Sequence, residues 1–375
     1  MNVNLNTNLV LGGGGIKGIA YTGLLEEAEK RGIYFRNISG VSAGALAGAC
    51  FAAGYKSQEL RKEFYEFDFG KLNVEKIVEK VPVIRSYMDF CENSRLDDKS
   101  IFNFLSLNHD EKTRDDDTPN LDDDFSSYRG NLFKNIVKFS KQGCLYDGDL
   151  LEEWAYKLLA RKGIRTFADL RGGIADYANP MGYKVRMTAV DAKRAKVIVL
   201  PDDMAYYGFE PDRLEVAKAI RMSTSVPFAF KPVEFYTNTG GKTKKHYIVD
   251  GGVLDNLPVW TISPSLRRPL IACRLNGGYP KKVAFDPLNI LKGFITAIHD
   301  IGIPKYTVRN CFFISINTSK VSFLDFNLSD EDKEYLYNSG KKAAAPVFNK
   351  LIYLKNMERL GLFGRLRYLL SFRGF

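Results

Sequence analysis

The stretch that decides the fold opens with Asn8-Leu9-Val10-Leu11-Gly12-Gly13-Gly14-Gly15-Ile16-Lys17-Gly18 and closes with Gly40-Val41-Ser42-Ala43-Gly44. Residues 8–11 are a short apolar run, and a glycine run follows it. A helix is expected from about 16 to 30. Ile19, Ala20, Leu24 and Ala28 share one face there, while Glu26, Glu27, Glu29 and Lys30 fall mostly on the other. Arg31-Gly32 ends it. Residues 34–39 read as a second strand, and a helix of small residues starts near Ser42. Strands alternating with helices imply a parallel sheet and an α/β fold.

Working outward, residues 56–106 look mainly helical. About 107–130 reads as an acidic, mobile insertion, with Asp115-Asp116-Asp117 and Asp122-Asp123-Asp124 among few apolar residues. Asp147 can cap a helix whose apolar face is Leu150, Leu151, Trp154 and Leu158, stopped by Gly163. Strands are expected at 183–190, 196–200, 247–249, 270–275 and 311–316. One helix is expected at 214–222 and another between the last two strands. Residues 5–330 are read as one domain, a mostly parallel central sheet flanked by helices. Residues 331–375 are read as a basic amphipathic C-terminal helical segment, in which Leu351, Leu362, Phe363 and Leu366 interleave with Lys355, Arg359, Arg365 and Arg367.

The chain has 375 residues, 45% hydrophobic and 26% charged. That composition excludes a disordered, collagen-like or multi-span membrane protein. Lys plus Arg number 54 against 44 Asp plus Glu, a net charge of +10 that calls for an anionic partner. The five cysteines are scattered and never spaced C-x-x-C, which argues against a disulfide framework and a zinc site. Buried or half-buried thiols in a reducing compartment are expected instead. With neither a signal peptide nor an apolar span visible, a cytoplasmic protein is expected.

Three segments carry chemistry. Consecutive glycines let the backbone of 12–18 fold tightly and point several N–H groups at one spot, a place for a phosphate or a transient oxyanion. Gly13-x-Gly15-x-x-Gly18 also satisfies a dinucleotide fingerprint, but the second strand ends Arg36-Asn37-Ile38-Ser39 without the acid that fingerprint wants. Gly40-Val41-Ser42-Ala43-Gly44 is G-x-S-x-G where a strand turns into a helix, a geometry that presents the serine oxygen. A serine needs a base. His299, the only plausible late histidine, falls inside an apparent helix, so a Ser-His-Asp triad fits poorly. Asp250-Gly251-Gly252 follows a short apolar strand and supplies another base. Together the segments read as an acyl-transfer site. Ser42 attacks, Asp250 takes its proton, and the N–H groups of Gly13, Gly14 and Gly15 hold the oxyanion.

At these residues the chain resembles the patatin-like phospholipase family. Gly13-Gly14-Gly15-Ile16-Lys17-Gly18, Gly40-Val41-Ser42-Ala43-Gly44 and Asp250-Gly251-Gly252 follow its three motifs in order. Residues 219–228, Ala-Ile-Arg-Met-Ser-Thr-Ser-Val-Pro-Phe, are similar to the stretch that family carries upstream of its aspartate. The resemblance covers roughly residues 5–260. It implies a three-layer α/β/α fold, a Ser-Asp dyad without histidine, no metal or cofactor, and hydrolysis of acyl esters of phospholipids or related lipids. Lys17 either holds the glycine loop or meets lipid phosphate, Gly18, Gly40, Gly44, Gly251 and Gly252 shape the motifs, and His246 is an ordinary structural histidine. The basic tail would meet an anionic membrane surface peripherally. No nucleic acid is expected as partner, since nothing marks an aromatic and basic groove. Two readings compete: a nucleotide-binding protein using the glycine loop, and a catalytically silent membrane-surface adaptor.

Overall fold

The computed structural model describes residues 4–72, 146–239, 242–263, 265, 267–277, 310–323 and 325–359. The expected acidic insertion, the helix holding His299 and the tail beyond 359 lie outside them.

Strand β1 (Leu5–Leu11) sits in mid-sheet, and only Asn6 and the flanking Asn4 reach water there. On its sides lie β2 (Ile33–Val41) and β7 (Leu270–Asn276), both parallel to it. β8 (Cys311–Asn317) extends the parallel set beyond β7, and β3 (Val185–Asp191) extends it beyond β2. Strands buried on both faces have no polar alternation to show, and β3 is buried at all seven positions. The remaining strands are antiparallel. β4 (Lys196–Leu200) and β6 (Lys242–Asp250) pair with β3, and β5 (Val233–Thr239) pairs with β6. The eight-stranded sheet runs β5-β6-β3-β2-β1-β7-β8, with β4 attached to β3. It is therefore mixed, where the sequence pattern suggested mostly parallel. The antiparallel part comes from a hairpin and a tight turn that carry no helix between strands.

The register on β3 has a consequence for the site. β4 occupies one edge along residues 187–191. β2 pairs with residues 185–188 and β6 with residues 189–191, so both must use the opposite edge. A strand has only two edges, and β2 and β6 share one of them, running toward each other and stopping head to head.

Alternation separates the two faces. Leu9, Leu11, Ile271 and Cys273 join the main core. Packed on it are α1 (Ala20–Lys30), α2 (Ala43–Ala52), α3 (Ser57–Glu66), α4 (Gly148–Ala160), α5 (Val216–Ser223) and the first turns of α6 (Asp330–Arg359). Val10, Leu270 and Ala272 point the other way, against Leu257, Val259 and Ile262 of the 3-10 turns after β6. This is a three-layer α/β arrangement. α2 is made of small and apolar residues all round and is buried through Cys50, as a helix without a polar face must be. Asp147 does cap α4, accepting from the N–H groups of Asp149 and Leu150. The buried face of α4 is Leu151, Ala155, Leu158 and Leu159, while Leu150 is exposed, one position out of the expected phase.

α1 is covered on both faces. Its charged side meets α6 rather than water: Glu26 pairs with Lys341, and the Arg31 guanidinium donates to Asn349 at 2.7 Å. Methyl groups on Gly23 or Gly340 would overlap the carbonyls of Tyr337 and Ala20, so these glycines set how closely the helices approach. Leu336, Ala344, Phe348 and Leu351 of α6 are buried in the main core. Among the described residues, no helix is long and apolar enough to cross a membrane. Cys50 and Cys273 are buried thiols and Cys311 is half-buried.

Candidate active site

The head-to-head ends of β2 and β6 place two of the expected residues side by side. Val41, last of β2, pairs with Thr188, and Asp250, last of β6, pairs with the next residue, Ala189. One step along a strand is about 3.3 Å, so Ser42 leaves its strand where Asp250 ends its own. Both are buried, Ser42 at 2% exposure and Asp250 at 0%.

Ser42 turns the chain from β2 into α2 with φ 54° and ψ −122°, a conformation that costs a side-chain-bearing residue about 1–3 kcal/mol. What holds it is local. Its carbonyl accepts from Ala45 and Leu46, and its N–H donates to Ser223 Oγ at 3.0 Å. Ser223 Oγ in turn donates to the Thr188 carbonyl at 2.7 Å. The neighbouring glycines are required by proximity: a methyl on Gly40 would overlap the Gly44 carbonyl, and one on Gly44 would overlap that of Leu11.

Asp250 is fixed from the same side. Its N–H donates to the Ser225 carbonyl at 2.9 Å, and its Oδ1 accepts from the Gly252 N–H at 2.7 Å. Gly251 lies against the Thr188 carbonyl, too close for any side chain. The turn 223–225, at the end of α5, thus ties down both backbones. The sequence placed this stretch near the aspartate without giving it a role, because its partners are 181 and 25 residues away along the chain.

The glycine run is only partly open. Gly12 N–H is spent on the Cys273 carbonyl, Gly13 N–H on Asn256 Oδ1 at 3.0 Å, and Ile16 N–H on Phe323. The N–H groups of Gly14 and Gly15 donate to nothing among the described residues. Tyr21 OH clamps the Gly12 carbonyl at 2.6 Å, and burial pushes its phenol well above the usual range. Gly15, at φ +55°, faces the Phe323 carbonyl where no side chain would fit. Gly18 lies against Ala43, the residue after Ser42. Lys17 is buried, and its ammonium lies against Gly277 at the exit of β7, beside Thr318. That posture favours holding the loop over meeting a solvent-borne phosphate. Asn256 and Tyr21 were not singled out from sequence; Asn256 follows Asp250 by six residues, in Asp250-Gly251-Gly252-Val253-Leu254-Asp255-Asn256.

Beside Ser42 opens an apolar cavity of about 60 Å³, lined by Gly15, Ile19, Leu46, Phe69, Val226, Phe230, Phe323 and Phe326 among others. His246 is absent from it. Its Nδ1 lies 2.9 Å from Asp191 Oδ2 and its Nε2 3.1 Å from Thr237 Oγ1, and Tyr207 OH donates to the same Asp191 oxygen. This buried cluster braces β3, β5 and β6, as expected of a structural histidine.

The arrangement offers a buried hydroxyl on a strained turn, a carboxylate at its side, two inward N–H groups and an apolar chamber. A sequence profile described as Patatin-like phospholipase matches residues 9–262. The chain is 33% identical over 340 residues to the Bacillus subtilis protein named "Uncharacterized protein YqhO", covering 89% of this chain and 94% of that one. Among solved structures it is similar to VipD from Legionella pneumophila, with a TM-score of 0.44 and 16% identity over 92% of this chain and 67% of that one. It is also similar to the ExoU-SpcU complex of Pseudomonas aeruginosa, with a TM-score of 0.37 and 20% identity over 92% of this chain. There it spans about half, 52%, of the matched chain.

Proposed function

The chain belongs to the patatin-like phospholipase family, and we propose that it is a lipid acyl hydrolase whose chemistry is carried by Ser42 and Asp250. Membership of that family supports lipid acyl hydrolysis as the activity. The assignment of residues rests above all on the meeting of β2 and β6 on one edge of β3, which brings the serine and the aspartate together.

In this reading an acyl chain enters the apolar cavity and its ester carbonyl reaches Ser42. Asp250 accepts the hydroxyl proton as Oγ attacks, and the carbonyl oxygen gains negative charge. Gly14 and Gly15 N–H groups stabilise that charge; one such donor is worth about 2.7–4 kcal/mol in the transition state. Gly13 belongs to the loop but gives its N–H to Asn256, which makes it a brace for the other two. The intermediate collapses to an acyl-Ser42 ester, and Asp250 returns its proton to the departing alcohol. Water then attacks the acyl-enzyme with Asp250 as base, and the fatty acid leaves. Fixing Asp250 through Gly252 and Ser225 keeps the carboxylate in place through both halves.

The same occupancy of N–H groups weighs against a nucleotide site. A phosphate cradle needs several donors at once, and three in this loop are already engaged within the protein.

The test compares wild type with Ser42→Ala and Asp250→Asn. Fatty-acid release is followed from phospholipid vesicles and from a short-chain chromogenic ester, with folding checked by thermal unfolding. Each variant is expected to lose at least about 10³-fold in kcat while staying folded. A folded variant of either kind that keeps wild-type turnover would remove the dyad. A wild type silent on every ester would favour the adaptor reading.

A further inference from the structure

The hairpin of β5 and β6 stands at the end of the sheet where Ser42 lies. β6 runs into Asp250, and Lys242 is eight residues upstream, about 27 Å at 3.4 Å per residue. β3 pairs with β6 only as far as Ile248. The outer half of the hairpin therefore projects past the C-terminal ends of the parallel strands, with β5 at the sheet's edge.

Positive charge gathers there. The β3–β4 turn carries Lys193, Arg194 and Lys196, and β6 carries Lys244 and Lys245. Lys193 Nζ donates to the Lys245 carbonyl at 3.3 Å, tying the turn to the hairpin. Glu234 is the acid of the hairpin, and Lys245 neutralises it at 2.6 Å. Three aromatic side chains stand out among these cations: Tyr206 at 67% exposure, Tyr236 at 50% and Phe209 at 49%. The Arg194 guanidinium lies 3.9 Å from the Tyr206 ring centre, and Lys245 lies 5.3 Å from that of Tyr236. Leaving such rings in water has no folding benefit, whereas aromatic rings between cations suit the headgroup level of a bilayer.

We propose that this hairpin and the adjoining β3–β4 turn are the surface by which the protein docks on an anionic phospholipid bilayer. The proposal rests on the lipid-hydrolase reading for its choice of partner, and it places the bilayer at the end of the sheet that holds the candidate site. A nucleic acid is the poorer partner, because the rings stand singly on a projecting blade and line no groove. The C-terminal segment is a weaker anchor than its composition suggests, since Leu336, Ala344, Phe348 and Leu351 are committed to the core.

The experiment is sedimentation of the full chain with phosphatidylcholine vesicles, with and without phosphatidylserine, at low and at physiological ionic strength. The proteins are wild type, Lys193→Glu/Lys196→Glu/Lys244→Glu, and Tyr206→Ala/Tyr236→Ala. Wild type is expected to bind when phosphatidylserine is present, less so as salt rises. The triple variant should bind at least about 100-fold more weakly, from about 1 kcal/mol per lost cation. The aromatic variant should weaken by about 10-fold through lost interfacial burial. Both should hydrolyse a soluble short-chain ester like wild type, which also shows that they fold. A triple variant that binds like wild type overturns the proposal and leaves these lysines as guards of the sheet edge. So does a wild type indifferent to phosphatidylserine. Because binding is read without turnover, a Ser42→Ala protein can be sedimented alongside. Loss of hydrolysis as a function would then not be mistaken for loss of docking.

Discussion

The turn at Ser42 and the seam between α1 and α6 use one device for different ends. Both let backbone approach backbone at glycine: Gly40 and Gly44 in the first, Gly23 and Gly340 in the second. Around Ser42 the supporting bonds are made by main chain and short hydroxyls, from Ser223 to Thr188 and from Ser225 to Asp250. Along the helix seam the support comes from large apolar side chains and ion pairs, Leu336 and Phe348 below, Glu26 with Lys30 and Lys341, and Arg61 with Glu334 above. The first region fixes atoms in place and buries little to do it. The second buries much and fixes no reacting group. Damage to the first should appear in turnover, and damage to the second in stability.

This contrast also governs how much could be read beforehand. The site was legible as motifs because its chemistry demands particular residues at particular steps of one chain. Gly40, Ser42, Gly44 and Asp250 each stand where the sequence puts them, at the ends of strands it marks as apolar. Ser223 and Asn256 were not legible, since their roles exist only across long stretches of chain. The seam was nearly invisible for another reason. Glu26, Glu27 and Lys30 look like a solvated face until α6 arrives to cover them, and Gly23 looks like a mere weakness in a helix. β6 was read as three residues because Lys242, Thr243, Lys244 and Lys245 suggest a loop. Pairing with β5 makes it nine.

The severest challenge to the contrast is Gly44→Ala. The new methyl would overlap the Leu11 carbonyl in the centre of the sheet, where neither partner can withdraw. A loss of more than about 4 kcal/mol is expected, enough to prevent recovery of folded protein. Soluble Gly44→Ala with wild-type melting would mean that the turn is softer than its geometry implies. Gly340→Ala should be milder, about 2–3 kcal/mol, because α6 can slide or tilt on α1. Its melting temperature should fall while kcat per folded molecule stays unchanged. A drop in kcat at constant stability would erase the division between the two regions.

Ser223→Ala probes the first region without overpacking. It removes the acceptor of the Ser42 N–H and leaves a buried donor unmatched, worth about 1–3 kcal/mol. If that bond positions Ser42, the loss appears as a roughly 30-fold lower kcat with KM for a soluble ester changed less than about twofold, equivalent to about 2 kcal/mol. Ser223→Thr keeps the hydroxyl and should recover part of the rate. Equal rates for wild type and Ser223→Ala would reduce this residue to packing.

The smallest effect belongs to Glu26. Burial alone would push its carboxyl up, but hydrogen bonds from Lys30, Tyr337 and Lys341 bring it down to about 2 from an ordinary 4.5. A folded-state value below the unfolded one stabilises the native form above the ordinary value. That contribution is lost as pH falls toward the folded value. Stability of wild type relative to Glu26→Gln should therefore be constant near neutrality, at less than about 1 kcal/mol as for partly solvated pairs, and should shrink between about pH 4.5 and 2. Thermal unfolding of both proteins across that window is the measurement, with vesicle-free esterase activity at neutral pH as the control. A difference that stays flat through the window would show that α1 and α6 are joined by packing alone, with the carboxylate a bystander. A difference that closes as described, with esterase activity untouched, places a titrating tie in the stabilising seam and none of its effect in the site.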